Sequence, residues 1–450
     1  MRKVISLLLL PMVLLAVMTG CAPSTSSEDT MPIGDTIDMV GLYCFEFIPD
    51  AAAFWKSCGI TTLQYWVREM QYADDPQALQ NYLAKFERDI RLAKEMGFQV
   101  YIGLSSNFRV PEEGETWYTA CFDPRDEQQM QKRLTVLSQT VKACKQADGF
   151  TVFCADPGGF VNMPTVQADA TTFIDLCKKF VQVIQAELPD KPININPWAI
   201  SNFKTPILSP ASLGFWLQET ELTKQLLADS ELVGANVGIE FPCHDYYRGL
   251  ALRQYAPKYR RDEFPLYPLK ADLEALYQRD CERRWAWPYF LLDECDNGDG
   301  AGEGVQLETR YIKDLVTKLK QIGINGIIGN WAAAGKYTRA LNMYAFGRFC
   351  QDSTLTEEQV IREYAAKNVT AEGVDALTKA LMYIENNSHW HSTMPLKAQL
   401  PALKTVSSAE EALALLETVV PLESAEGVAE APATYIGRVR ARLQVLARNE

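Results

Sequence analysis

Eight short apolar runs alternate with helix-like segments between residues 39 and 331, and this alternation constrains the fold more than any motif in the chain. The runs are Met39–Phe45, Thr61–Val67, Gln99–Leu104, Phe150–Ala155, Pro192–Pro197, Val233–Ile239, Ala286–Leu292 and Gly326–Trp331. Most mix β-branched and aromatic residues over a handful of positions, the composition of strands buried on both faces. Amphipathic stretches such as Pro76–Met96 and Glu127–Ala147 lie between them and are long enough for crossover helices. Strand and helix in strict alternation predict an α/β chain folded as a (β/α)8 TIM barrel. Such barrels place their chemistry at the C-terminal ends of the strands, so the search for function narrows to eight connections.

At 450 residues the chain is longer than a barrel with ordinary loops, which takes roughly 250 residues. The spacing predicts a signal at 1–21, a linker at 22–35, a catalytic barrel at 36–350 and a small C-terminal helical domain at 351–450. Asp75-Pro76 places a capping side chain before a first-turn proline. Thr356-Glu357-Glu358-Gln359 and Ser408-Ala409-Glu410-Glu411 both fit a capping box. A net charge of −13 provides no basic excess to neutralise phosphates and argues against a nucleic-acid partner.

The first residues predict export. Met1-Arg2-Lys3 is a positive start, and Val4–Met18 is an apolar run too short to span a membrane comfortably. Thr19-Gly20-Cys21 and the small, polar stretch after it resemble a bacterial lipoprotein signal, with Met18 where leucine is usual. That resemblance implies lipidation of Cys21 and a chain held in the bacterial cell envelope by its lipid anchor alone. The ten other cysteines include no C-x-x-C pair. Several sit inside apolar strands or helices, so they read as buried thiols acting as small hydrophobes.

Carboxylates, amides and aromatic residues gather at the predicted strand ends. Glu46 ends strand one, Arg68-Glu69 strand two, Asp156-Pro157-Gly158-Gly159 strand four and Glu240 strand six. Asp293-Glu294 ends strand seven, and Asn330-Trp331 strand eight. Asn196 lies on strand five, while Asn107 and Arg109 follow strand three. Sugar chemistry asks for such a ring: one carboxylic acid protonates the leaving oxygen, and a second carboxylate attacks, stabilises or activates water. Amides and arginines bind hydroxyls, and a tryptophan face stacks on the apolar face of a sugar. The acid is assigned to Asp156 and the partner carboxylate to Glu294 or Asp293, with Glu240 as substitute. Trp331, Asn196, Asn330, Arg68, Glu46 and Asn107 are the expected substrate contacts. Glu46 and Glu69 can also form ion pairs near the mouth, with Arg68 as a partner. Only His244, His389 and His391 are present, none on a predicted strand, so no metal or cofactor is expected. There is no G-x-S-x-G elbow, P-loop or dinucleotide fingerprint.

From Lys336 to Ala366 the sequence reads KYTRALNMYAFGRFCQDSTLTEEQVIREYAA. This stretch is similar to the end of the catalytic barrel in α-glucuronidase-type glycoside hydrolases, where the last barrel helix runs into a helical region. Asp156-Pro157-Gly158-Gly159 also resembles a turn of some bacterial glycoside-hydrolase-like lipoproteins. The resemblance implies a carbohydrate-active barrel and carries no catalytic residue over. The sequence therefore predicts a lipid-tethered glycoside hydrolase acting on a glycan. The alternative is a non-catalytic glycan-binding surface lipoprotein on a degenerate barrel, and a purely structural envelope lipoprotein is a third reading.

Overall fold

The computed structural model describes residues 31–45, 47–115, 120–154, 170–198, 222–243, 270–288, 305, 307–330, 340–387 and 400–449. Residues 33–450 form one compact unit, built around a closed barrel of eight parallel strands in sequential order. The strands are β1 (Met39–Cys44), β2 (Thr62–Val67), β3 (Gln99–Ser105) and β4 (Gly149–Phe153). They continue with β5 (Ile193–Asn196), β6 (Val237–Pro242), β7 (Trp285–Trp287) and β8 (Gly326–Asn330). Closure leaves no sheet edge, and every residue of β1, β2, β4, β5, β6 and β7 is buried. One face of each strand packs inside the barrel and the other meets the helices.

The helices are α1 (Pro49–Ser57), α2 (Pro76–Glu95), α3 (Glu127–Ala143), α4 (Ala170–Glu187), α5 (Lys270–Tyr277), α6 (Thr309–Gln321) and α7 (Ala340–Gln351). Residues 222–228 are helical between β5 and β6. The local code for α2 is typical. Asp75 Oδ1 accepts from the amides of Gln77 and Ala78, both at 3.0 Å, and Pro76 fills a first-turn position whose amide would otherwise be unpaired. Leu79, Leu83, Phe86 and Ile90 then make a buried stripe, and Gly97 stops the helix at φ +81°, a conformation that favours glycine.

Beyond the barrel come α8 (Glu357–Ala366), α9 (Val374–Asn387), α10 (Ala409–Leu416) and α11 (Pro432–Ala447), the helical C-terminal region that the sequence predicts. Helix α8 packs on α6 and α7, α9 on α8, and α10 and α11 on α9. Thr356 forms a complete capping box with Gln359. At Ser408 the hydroxyl caps the amide of Glu411, while the Glu411 carboxylate reaches one residue further back, to the amide and hydroxyl of Ser407. The nine described cysteines are buried, and none is joined to another in a disulfide.

The strand spans differ from the predicted ones by a residue or more, and β6 begins furthest from its predicted start. The stretch Val233–Asn236 was expected to open β6. Instead Gly234 and Val237 exchange two backbone hydrogen bonds at 2.9 and 3.1 Å, forming a tight turn, and the strand begins only at Val237. Strand β7 begins one residue earlier than expected, at Trp285. The shift in β6 moves Glu240 from the strand's end into its body.

Candidate active site at the barrel mouth

The chain places its long connections on one side of the barrel. From α2 to β3, α3 to β4, α4 to β5 and α6 to β8 the chain turns within a few residues. The segments that follow β4, β6, β7 and β8 are far longer, running from Phe153 to Ala170, Pro242 to Lys270, Trp287 to Thr309 and Asn330 to Ala340. Long connections concentrated at the C-terminal face mark the face that carries function in this architecture.

Strand register sets what lies beneath that face. In β6, Gly238, Glu240 and Pro242 point inward, and Val237, Ile239 and Phe241 outward, following the two-residue period. Glu240 is fully buried. Its Oε2 accepts from Gln64 Nε2 at 2.8 Å and Thr151 Oγ1 at 3.2 Å, and its Oε1 accepts from Asn196 Nδ2 at 2.9 Å. Gln64, Thr151 and Glu240 come from the alternate strands β2, β4 and β6 and form one level of the barrel interior. Burial pushes the Glu240 carboxyl up to about 7, against the opposing pull of its three donors.

Above this level the interior is aromatic. Tyr43 meets Trp287 edge-on at 5.3 Å and Trp66 at 5.5 Å, and Phe153 stacks on Trp66 at 5.5 Å. Trp198, just past β5, leans on Trp287 at 5.0 Å. On the other side Phe45 stacks on Trp66 at 5.9 Å, and the Arg68 guanidinium lies 4.3 Å above the Phe45 ring. The result is a continuous aromatic floor with a cation at its margin. Trp285, in the same core cluster, packs against Tyr101 at 4.8 Å.

The exits of β2, β3 and β4 are fastened from outside the barrel. Arg133 of α3 pairs with Glu69 at 2.8 Å and donates to the carbonyls of Ser105 and Ser106 at 2.6 and 3.1 Å. Both side chains of the pair are buried. Burial pushes the Glu69 carboxyl up and the Arg133 guanidinium down, and each charge opposes the other's shift. Ser106 Oγ in turn donates to the carbonyl of Cys154 at 2.9 Å, tying β3's exit to β4's. Glu69 thus takes Arg133, on α3, as its partner, where the sequence suggested Arg68.

Of the sequence-predicted site residues, Glu240 and Asn196 are brought together, in direct contact. Both polar atoms of Asn196 are engaged by protein, since its Oδ1 also accepts the Trp198 amide at 3.0 Å. Asn107 is buried and donates to the carbonyl of Phe122 at 2.9 Å, which fastens the segment after β3. Arg109 is committed to Glu115 through two contacts of 2.6 and 2.7 Å. Arg68 is half-buried at the edge of the floor. Asn330 ends β8 opposite Tyr43. Asp156, Asp293, Glu294, Glu46, Trp331 and Cys21 lie outside the described residues. Sequence reasoning passed over Gln64 and Thr151. The available signal was a polar side chain at an inward position of an otherwise apolar strand.

One cavity of about 880 Å³ lies elsewhere, between α2 and α3 on the outer ring. Among the described residues its lining includes Leu79, Leu83, Val136 and Ala143, with Glu87 as the sole carboxylate, so these offer no pair for acid–base work.

No protein-family model matches the sequence, and no curated protein matches it. Among solved structures the chain is similar to a GH138 enzyme targeting pectin rhamnogalacturonan II. The TM-score is 0.51 at 10% identity, over 93% of this chain and 58% of that one. The chain therefore spans little more than half the length of that enzyme. Endo-glycoceramidase II from Rhodococcus sp. aligns with a TM-score of 0.42 at 10% identity, over 65% of this chain and 73% of that one. A GH5-4 broad specificity endoglucanase from an uncultured bacterium gives 0.40 at 10% identity, over 67% and 84%. These neighbours are glycoside hydrolases with TIM-barrel folds. At 10% identity the likeness to the GH138 enzyme is one of fold.

Proposed function

We propose that this chain is a glycoside hydrolase that cleaves a glycan or oligosaccharide at the C-terminal face of its barrel. The observation that carries this reading is the mouth itself: an aromatic floor of Phe45, Tyr43, Trp66, Phe153, Trp198 and Trp287, beneath the face where the chain has its long connections. The half-buried Phe45 ring and Arg68 guanidinium, seated on this packed aromatic layer, suit the apolar and hydroxylated faces of a sugar. The GH138 neighbour supports the reading through its barrel.

Two carboxylates carry the chemistry in this proposal. Asp156, three residues past the end of β4, is the general acid. Glu294 or Asp293, a few residues past β7, is the partner that attacks or activates water. Glu240 drops out of that pair, because it is fully buried in a level of the barrel beneath the aromatic floor. Arg68 supplies positive charge at the floor's margin, where a uronic acid would find a partner; this is the point at which the α-glucuronidase-type resemblance bears on the substrate. The N-terminal segment adds a lipid anchor on Cys21 and places the enzyme in a bacterial cell envelope. No helix among the described residues is long and apolar enough to cross a membrane.

The test is product release by residues 22–450 across a broad oligosaccharide panel that includes uronic-acid-decorated glycans, with Asp156→Asn and Glu294→Gln beside the parent. Cleavage by the parent and loss of it in a correctly folded variant are expected. Silence across the panel with retained glycan binding would favour the non-catalytic surface lipoprotein instead.

A further inference from the structure

Barrel interiors are usually filled by branched aliphatic side chains, and a buried carboxyl there needs compensation. In this barrel three donors from three strands converge on Glu240. One of them, Asn196, continues upward. Its Oδ1 takes the Trp198 amide at 3.0 Å, and its backbone carbonyl takes the Cys154 amide at 3.0 Å. The Trp198 ring rests on Trp287. A path of hydrogen bonds therefore runs from Glu240 through one carboxamide to the turn that sets Trp198 in the floor.

We propose that Glu240 is a positioning residue, which stays out of reach of substrate and, through Asn196, fixes the Trp198 turn at the base of the barrel mouth. Its purpose rests on the reading of the mouth as a glycan site, but its geometry does not. The groups around it are largely neutral: Gln64, Thr151 and Asn196 bind it, and Trp285 of β7 pairs beside it. Tyr101, on β3, is the titratable group that feels its charge, with Arg283 acting on that same hydroxyl and donating to Asn194 Oδ1 at 3.1 Å. Burial pushes the Tyr101 hydroxyl to about 12, so the tyrosine stays neutral through the range in which Glu240 titrates.

The structure also indicates a conservative replacement. Gln64 Oε1 makes no hydrogen bond among the described residues. In Glu240→Gln the new carboxamide keeps its oxygen toward Asn196, and the Gln64 amide turns over to accept from the new NH2. In Glu240→Leu, Asn196 Nδ2 loses its acceptor and the Trp198 turn is released. The experiment is near-ultraviolet circular dichroism and tryptophan fluorescence of residues 22–450 between pH 6 and pH 8, with Trp198→Phe identifying the signal of that residue. Parent and Glu240→Gln should share one spectrum at pH 6, and Glu240→Leu should lose most of the Trp198 contribution. The parent signal should also move with pH, and that of Glu240→Gln should not. A pH-dependent change that persists in Glu240→Gln would overturn the proposal, as would a glutamine variant that loses the Trp198 signal. The glutamine comparison stands even if the leucine variant does not fold. None of these readouts uses a substrate, so failure here and failure of the hydrolase assay are separate results.

Discussion

Glu240 has a carboxyl fully buried inside the barrel. Its carboxyl ionises near 7 when folded, against an ordinary value of 4.5, so between those values the folded chain binds more protons than the unfolded one. Glu240 therefore stabilises the fold fully below about 4.5, and this contribution is lost as the pH rises through about 7. At about 1.4 kcal/mol per pKa unit the whole loss amounts to about 3.5 kcal/mol, of which about 2.5 kcal/mol falls between pH 5 and pH 8. Urea unfolding at pH 5 and pH 8 should show the parent losing about that much more stability than Glu240→Gln; equal losses would mean that Glu240 does not titrate in this window. The Glu69–Arg133 pair makes a second residue-scale prediction. Arg133→Met strands a buried carboxylate and releases the carbonyls of Ser105 and Ser106, so it should cost about 3–5 kcal/mol in the same experiment. Neither effect was legible in the sequence. Glu69 was visible as an acid near the mouth, but a partner on α3 becomes apparent only once the helix packs back against β2 and β3.

At the scale of elements, local chemistry and hydrophobic period carried most of the information. Caps at Asp75 and Thr356 form where their spacing places them, because a capping side chain needs only its own next three residues. Thr356→Ala should therefore cost about 1 kcal/mol by thermal or urea unfolding. Helix α7 depends instead on a close approach. A Cβ on Gly347 would collide with the backbone carbonyl of Cys58, which cannot retreat without moving the end of α1. Gly347→Ala should destabilise the chain well beyond an ordinary helical substitution, and a neutral or stabilising result would contradict this packing. Strand β6 shows where period fails: Val233 and Val237 look alike in the sequence, yet the first lies just before the Gly234–Val237 turn and the second opens the strand. An error of a few residues there is enough to misplace Glu240, since its depth in the barrel depends on where the strand begins.

Across the whole molecule, the C-terminal helices are fastened to the barrel through a buried clamp. Glu385 of α9 accepts from the Thr309 amide at 2.8 Å and pairs with Arg310 at 3.3 Å, capping the first turn of α6. Arg310 in turn donates to the carbonyls of Leu400 and Pro401 at 3.2 and 3.1 Å. Glu385→Ala should cost about 3–5 kcal/mol and lower the Tm of the barrel, since the lost carboxylate leaves a buried guanidinium without its charge partner. The barrel plan and its functional face follow from the order of strands and helices, whereas the depth of each side chain in the mouth depends on register that one sequence does not display. We propose that carboxylates at this mouth hydrolyse a glycan. Proton NMR of the anomeric region tests it most directly, recorded while residues 22–450 and the Asp156→Asn/Glu294→Gln double variant are held with the same oligosaccharides. A new anomeric signal from the parent alone is predicted; the same signal growing at the same rate with the folded double variant would contradict the account.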